Sequence, residues 1–229
     1  LISFKTLILS LPVWYLRLTL FNLRRTLMNK SFIIKIIVFC LVTIKASAIE
    51  KVILFGDSLM AGYGLPNEQH LSVVLQNSLE LEGYNIEIVN GSVSGSTSSG
   101  GLNIAEWTLS ESNIDLMILC LGANDMLRGI NPEETKNNLE EIIKIAKNKN
   151  IKVIIAGMIA PTSYGSNYKK SFDKIFYDLS KKYKLQLIPF LLEGVAQKPE
   201  FNLSDGMHPN DQGTIIIGNT LKNAILENL

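Results

Sequence analysis

Five short apolar runs, each ending in a turn residue and most followed by a helix-length segment, limit what this chain can fold into. They are KVILFGD (51–57), NIEIVNG (85–91), DLMILCLG (115–122), KVIIAGM (152–158) and LQLIPF (185–190). Rich in Ile, Val and Leu, they read as strands buried on both faces, as parallel strands are. In 68–83, Leu71, Val74, Leu75 and Leu79 recur at helical spacing up to Gly83. In 131–149, Asn131 supplies an N-cap, Pro132 the first turn, and Glu133 and Glu134 negative charge near the positive helix end. Phe172, Ile175, Phe176 and Leu179 mark a third helix in 166–183. A last helix is expected from Asp211 to Leu226, its start blurred by Pro209 and Gly213. The Ser/Gly-rich 90–101 reads as a strand-end loop running into the next helix. Five βα units in series predict an α/β fold: an open parallel sheet with helices on both faces, whose ligands bind beyond the carboxyl ends of the strands.

Charge is unevenly placed along the chain. Residues 1–48 hold seven of the 22 basic residues and no Asp or Glu, which leaves 15 basic against 21 acidic in 49–229, a net −6. An acidic domain behind a basic leader gives no reason to expect nucleic-acid binding. From Met28 the leader has a basic start, an apolar segment from Phe32 to Ile44 and the small-x-small Ala46-Ser47-Ala48. That is the pattern of a secretory signal peptide (28–48) cleaved after Ala48. The apolar run is shorter than the ~20 residues that span a bilayer, and Lys35 interrupts it. Residues 1–27, which begin with Leu, read as translation upstream of a start at Met28. Arg24-Arg25 matches a twin-arginine signal only in part and is discounted. The mature chain is therefore expected at 49–229, periplasmic or secreted, without a stable membrane span. Cys40 follows Phe39, not the small residue that usually precedes a lipidated cysteine. Cys120 sits alone in an apolar run of the mature part and is expected as a buried thiol, with no disulfide partner and no zinc ligand set.

The polar residues at the strand ends carry the chemistry. The first strand ends at Gly56-Asp57-Ser58, the second leads to Ser94-Gly95-Ser96, the third ends at Gly122-Ala123-Asn124-Asp125, and the last loop carries Asp205 and His208. A serine hydroxyl is a poor nucleophile unless a base takes its proton, and histidine, with an ordinary pKa of about 6.5, suits that task. His70 lies in the first helical pattern with no acidic partner at an obvious distance. His208 follows Asp205 by three residues, a span that can fold the carboxylate onto the imidazole, set its tautomer and stabilise the imidazolium. Charge developing on a substrate oxygen needs donors already in place; the backbone N–H groups of Ser58 and Gly95 and the Asn124 amide would supply three. Each segment alone is bland, a turn, a cap or a loop. Together, in this order and at one rim, they point to Ser58, His208 and Asp205 as a catalytic set. Asp57 and Asp125 read as loop-fixing hydrogen-bonders. No G-x-S-x-G elbow, dinucleotide loop or Walker lysine is present. Two S-x-x-K matches, Ser166 to Lys169 and Ser171 to Lys174, lie on a helix without companion β-lactamase motifs and read as chance.

GDSL (56–59), GSVSG (91–95), GAND (122–125) and DGMHPN (205–210) resemble, in order and spacing, the four sequence blocks of the SGNH (GDSL) hydrolase family, over nearly all of 50–228. NDMLRG (124–129), with Pro132 shortly after, and PTSYGSNY (161–168) are similar to its bacterial periplasmic branch of acyl thioesterases, lysophospholipases and arylesterases. The resemblance implies a flavodoxin-like α/β/α sandwich, with Ser58 as nucleophile, Asp205 and His208 as acid and base, and Ser58, Gly95 and Asn124 as oxyanion donors. It implies an exported esterase acting on small-molecule acyl esters or thioesters, lysophospholipid among them, as a monomer without cofactor or metal. By the same resemblance, Met158, Ile159 and Ala160 after the fourth strand, and the 126–130 loop with Leu127, help to set acyl-chain preference. The alternatives are a carbohydrate O-acetyl esterase and a non-catalytic lipid- or glycan-binding protein on the same fold.

Overall fold

A computed structural model describes residues 49–229. The segment 28–48 expected as a signal peptide, with its expected cleavage point and Cys40, and residues 1–27 with Arg24-Arg25, lie outside the described residues. Strands form inside all five apolar runs: β1 Lys51–Gly56, β2 Glu87–Asn90, β3 Leu116–Cys120, β4 Lys152–Ala156 and β5 Gln186–Ile188. They pair in parallel throughout, in the order β2-β1-β3-β4-β5. The central strands are buried along their length apart from Lys51 and Lys152 at their starts. The expectation of burial on both faces fails for β2, which is exposed at both ends and half-buried between, and for most of β5. Both are edge strands, with a neighbour on one side only.

Seven α-helices follow among the described residues: α1 Ser58–Ala61, α2 Leu71–Leu81, α3 Ser98–Thr108, α4 Ala123–Leu127, α5 Pro132–Asn148, α6 Ser166–Tyr183 and α7 Asp211–Leu226. Local chemistry sets their ends. The Asn131 side chain accepts from Glu133 N–H at 2.9 Å, and Pro132 and two glutamates fill the first turn of α5. At α7 the cap is Asn210, which accepts from Gly213 N–H at 3.0 Å. Gly213 belongs to this start: a Cβ there would sit 2.2 Å from the Phe201 carbonyl oxygen, so the preceding loop reaches the helix only over a glycine.

Helix α2 packs on α7, whereas α3, α5 and α6 pack in a row. The connection from β1 to β2 runs one way along the sheet and the next three run the other, so right-handed crossovers put these two groups on opposite faces. The result is a flavodoxin-like α/β/α sandwich. Its core joins the strands to the buried stripes of the helices, such as Leu71, Leu75 and Leu79 of α2 and Phe172, Ile175, Phe176 and Leu179 of α6. The reversal of direction lies at β1 and β3, whose carboxyl ends flank the crevice where such sheets bind ligands. Cys120, the last residue of β3, is fully buried, and burial pushes its thiol up.

Candidate active site

The end of β1 is shaped by close packing. A Cβ on Gly56 would lie 2.7 Å from both the Cys120 carbonyl oxygen and Met60 Cγ, so the chain turns off the sheet only with glycine there. Asp57 caps the short α1, accepting from Leu59 N–H at 3.1 Å. Ser58 is thereby fixed as the first residue of α1, at the edge of the crevice.

The last loop brings a histidine to it. His208 Nε2 lies 2.9 Å from Ser58 Oγ, and Nδ1 lies 2.7 Å from Asp205 Oδ2. The other oxygen, Asp205 Oδ1, accepts from the N–H groups of Met207 at 2.8 Å and His208 at 3.0 Å. Asp205 is held down to about 2, first by the backbone N–H of His208, then by its imidazole, then by the N–H of Met207. It is therefore ionised at neutral pH and favours the proton on Nδ1, which leaves Nε2 to accept from the serine hydroxyl. The loop is pinned at its base: Asn202 bridges Pro209, and its amide donates to the Val195 and Lys198 carbonyls, each at 2.8 Å. Tyr63, just past the left-handed Gly62, lays its ring against the imidazole, with centroids 4.5 Å apart and planes tilted by 41°.

Gly95 and Asn124 close the opposite side. Gly95 has φ +78°, a left-handed conformation that glycine adopts freely. Its carbonyl accepts from Arg128 Nη2 at 3.0 Å. Asn124 Nδ2 donates to Asp57 Oδ2 at 3.2 Å. Among the described residues, neither Ser58 N–H nor Gly95 N–H donates to a protein acceptor. Behind this rim the buried Asp125 accepts from Ser98 N–H at 2.7 Å, from the Ser98 hydroxyl, and from Thr135 Oγ1 at 3.1 Å. It fastens the start of α3 to α4 and α5, and so sets the distance between the Gly95 loop and Asn124. Asp57 and Asp125 thus fix loops, as expected from their positions.

Asp57 is fully buried, and its pKa is raised to about 6, chiefly by burial, against which the Leu59 N–H, the Asn124 amide and His208 work in that order. The neutral form is the one the folded state favours. Its contribution to stability is fully present below the ordinary value of 3.8 and is lost as pH rises through about 6. Unfolding of the wild type and of Asp57→Asn, measured from pH 4 to 7, checks this. The variant is expected to gain on the wild type by roughly 2–3 kcal/mol across that range; a constant difference would contradict it.

The cleft measures about 510 Å³ and is lined by Ser58, Gly95, Asn124 and His208 together with a larger set of apolar side chains. Of the sequence-predicted wall, Leu127, Met158 and Ile159 line it. Ala160 does not: it is 1% exposed, and its N–H and carbonyl are both bonded to α6, so the chain turns this residue away from the cleft. Of the 126–130 loop, Met126 and Leu127 reach the cleft, while Arg128 bonds the Gly95 loop. Tyr63, Phe190, Leu192, Ala196 and Met207 also line it, and periodicity alone does not single them out. Tyr63 carried one readable signal, an aromatic placed just past the strand-end turn. His70 sits immediately before α2 and bonds the Leu65 carbonyl at 3.0 Å, away from this cluster. A larger groove of about 670 Å³ beside α5 and α6 is lined by residues such as Lys136 and Glu133, and Lys174 and Asp178, which pair with each other.

A parallel α/β/α sandwich with a serine, a histidine and a carboxylate in line at its switch point is the framework of an ester hydrolase. Residues 54–214 match the GDSL-like Lipase/Acylhydrolase family. The arylesterase of Vibrio mimicus is 36% identical over 177 residues, covering 77% of this chain and 88% of the relative. Thioesterase 1/protease 1/lysophospholipase L1 of Escherichia coli K12 is 32% identical over 170 residues, covering 74% and 80%. The crystal structure of TesA superposes with a TM-score of 0.75 at 32% identity, covering 79% of this chain and all of that one. The chain belongs to the GDSL (SGNH) hydrolase family and is an esterase/thioesterase, a hydrolase acting on ester bonds.

Proposed function

We propose that the protein is an exported serine hydrolase that cleaves acyl esters and thioesters, lysophospholipid among them, through an acyl-enzyme. The observation that carries this is the continuous line from Ser58 Oγ through the His208 ring to Asp205, with gaps of 2.9 and 2.7 Å. Ser58 Oγ attacks the acyl carbonyl as His208 Nε2 takes its proton, and Asp205 stabilises the imidazolium. The oxyanion is held by the free N–H groups of Ser58 and Gly95 and by the Asn124 amide hydrogen not used by Asp57. His208 protonates the leaving alcohol or thiol, and the acyl group stays on Ser58. Water then gives its proton to His208, attacks the acyl-serine and releases the acid, returning the proton to Ser58 Oγ.

The apolar wall favours an acyl chain over the acetate of a carbohydrate ester, and the intact proton-transfer line argues against a binding module. Every group in this scheme comes from one chain, which suits a monomer. Export is supported by the leader pattern, with 49–229 as the mature chain; among the described residues no helix is long and apolar enough to cross a membrane. A fluorophosphonate probe tests the reading. It is expected to label the protein once, at Ser58, and a protein that stays unlabelled while folded would refute it.

A further inference from the structure

Strand β4 has a sheet partner only as far as Ala156, and beyond it the chain is held by other means. Gly157 is still tied to the end of β5: its N–H donates to the Ile188 carbonyl at 2.8 Å, and its carbonyl accepts from Leu191 N–H at 3.0 Å. Three residues on, the chain is tied to α6. Ala160 N–H donates to Asp173 Oδ1 at 2.8 Å, and the Ala160 carbonyl accepts from Lys169 Nζ at 2.7 Å. Lys169 Nζ also donates to Asp173 Oδ2 at 2.7 Å, so the three residues close a ring. Lys169 and Asp173 are four apart on α6, which puts both on one helix face and presents a donor and an acceptor to the two polar groups of one residue. Their side chains are 30% and 31% exposed. Bonds from charged groups to backbone in such partly covered sites are stronger than neutral ones. The residues between the two ties, Met158 and Ile159, line the cleft, as does Pro161 just beyond.

We propose that the Lys169–Asp173 pair is a positioning clamp for the 158–161 wall and thereby sets which acyl chains the enzyme prefers. The proposal rests on the acyl-hydrolase reading of the cleft. An acetyl group needs only the space beside Ser58, whereas a long chain must lie along Met158, Ile159 and Pro161. Loosening the wall therefore weakens the hold on long chains and leaves the bond-breaking groups in place. The lysine of the first S-x-x-K match thus has a task, and its partner is Asp173 rather than Ser166.

The test is kcat/KM on p-nitrophenyl acetate and p-nitrophenyl decanoate for the wild type, Lys169→Met, Asp173→Ala, the double variant and Lys169→Arg. The decanoate-to-acetate ratio is expected to fall about tenfold in Lys169→Met and Asp173→Ala, as loss of a charged hydrogen bond to the backbone would give. The fall should lie in KM for decanoate, with acetate hydrolysis within about twofold of wild type. The double variant should be no worse than Asp173→Ala, because the two groups act as one unit. Lys169→Arg, which keeps a cationic donor, should hold most of the ratio. Equal loss on both esters, or an unchanged ratio, overturns the clamp. Should Asp173→Ala fail to fold, Lys169→Met carries the same comparison by itself. A wild-type protein that hydrolyses neither ester would instead refute the acyl-hydrolase reading.

Discussion

Ser58→Ala is expected to lower kcat on p-nitrophenyl acyl esters by about 10⁴- to 10⁶-fold, with little change in KM or in stability. The size follows from the proposed role: without Oγ no acyl-enzyme can form, and what remains is the rate given by the oxyanion donors and binding alone. Little else should change, because Ser58 Oγ bonds only His208 among the described residues and the half-buried site accepts the smaller side chain. His208→Ala should cost a similar factor, and the double variant hardly more than either single one, since nucleophile and base work as a unit. Steady-state and burst kinetics on purified variants read this directly. Activity within about tenfold of wild type in Ser58→Ala would remove Ser58 from the mechanism.

Asn124→Ala is expected to lower kcat by about 10²- to 10³-fold, with KM nearly unchanged. Its amide is aimed by Asp57 Oδ2 at 3.2 Å, and one hydrogen remains for a substrate oxygen. That hydrogen matters most once the oxygen is charged, so its loss should fall on the transition state. The substitution also strips the buried Asp57 of one of its two side-chain-accepted donors, leaving Leu59 N–H. Variant stability should therefore fall more at pH 7 than at pH 4, where Asp57 is neutral. A rise in KM at constant kcat would mean that Asn124 only binds substrate.

The strands and long helices were legible because their signals are local. Five apolar runs placed five strands, and the caps at Asn131 and the stripe through Phe172 and Leu179 placed α5 and α6. The weaker inferences concern neighbours. Burial of β2 and β5 depends on being at the edge, which a run of Ile and Val does not encode. Ala160 reads like its neighbours Met158 and Ile159, yet two groups on α6 turn it away from the cleft. Gly213 looks like a flaw in a helix until the Phe201 carbonyl is seen against it. Tyr63 is marked only as an aromatic after a turn, and its contact with His208 bridges more than half the chain.

By itself the sequence determined the parallel α/β class, the residue types at each strand end and their order along the chain, since periodicity, turn chemistry and motif spacing are properties of short segments. Tertiary structure alone decided that Ser58, His208 and Asp205 fall in one line, that Asp57 aims Asn124, and that Lys169 and Asp173 grip the cleft wall. Those are distances between groups up to 150 residues apart, and only the packing of the helices on the sheet sets them.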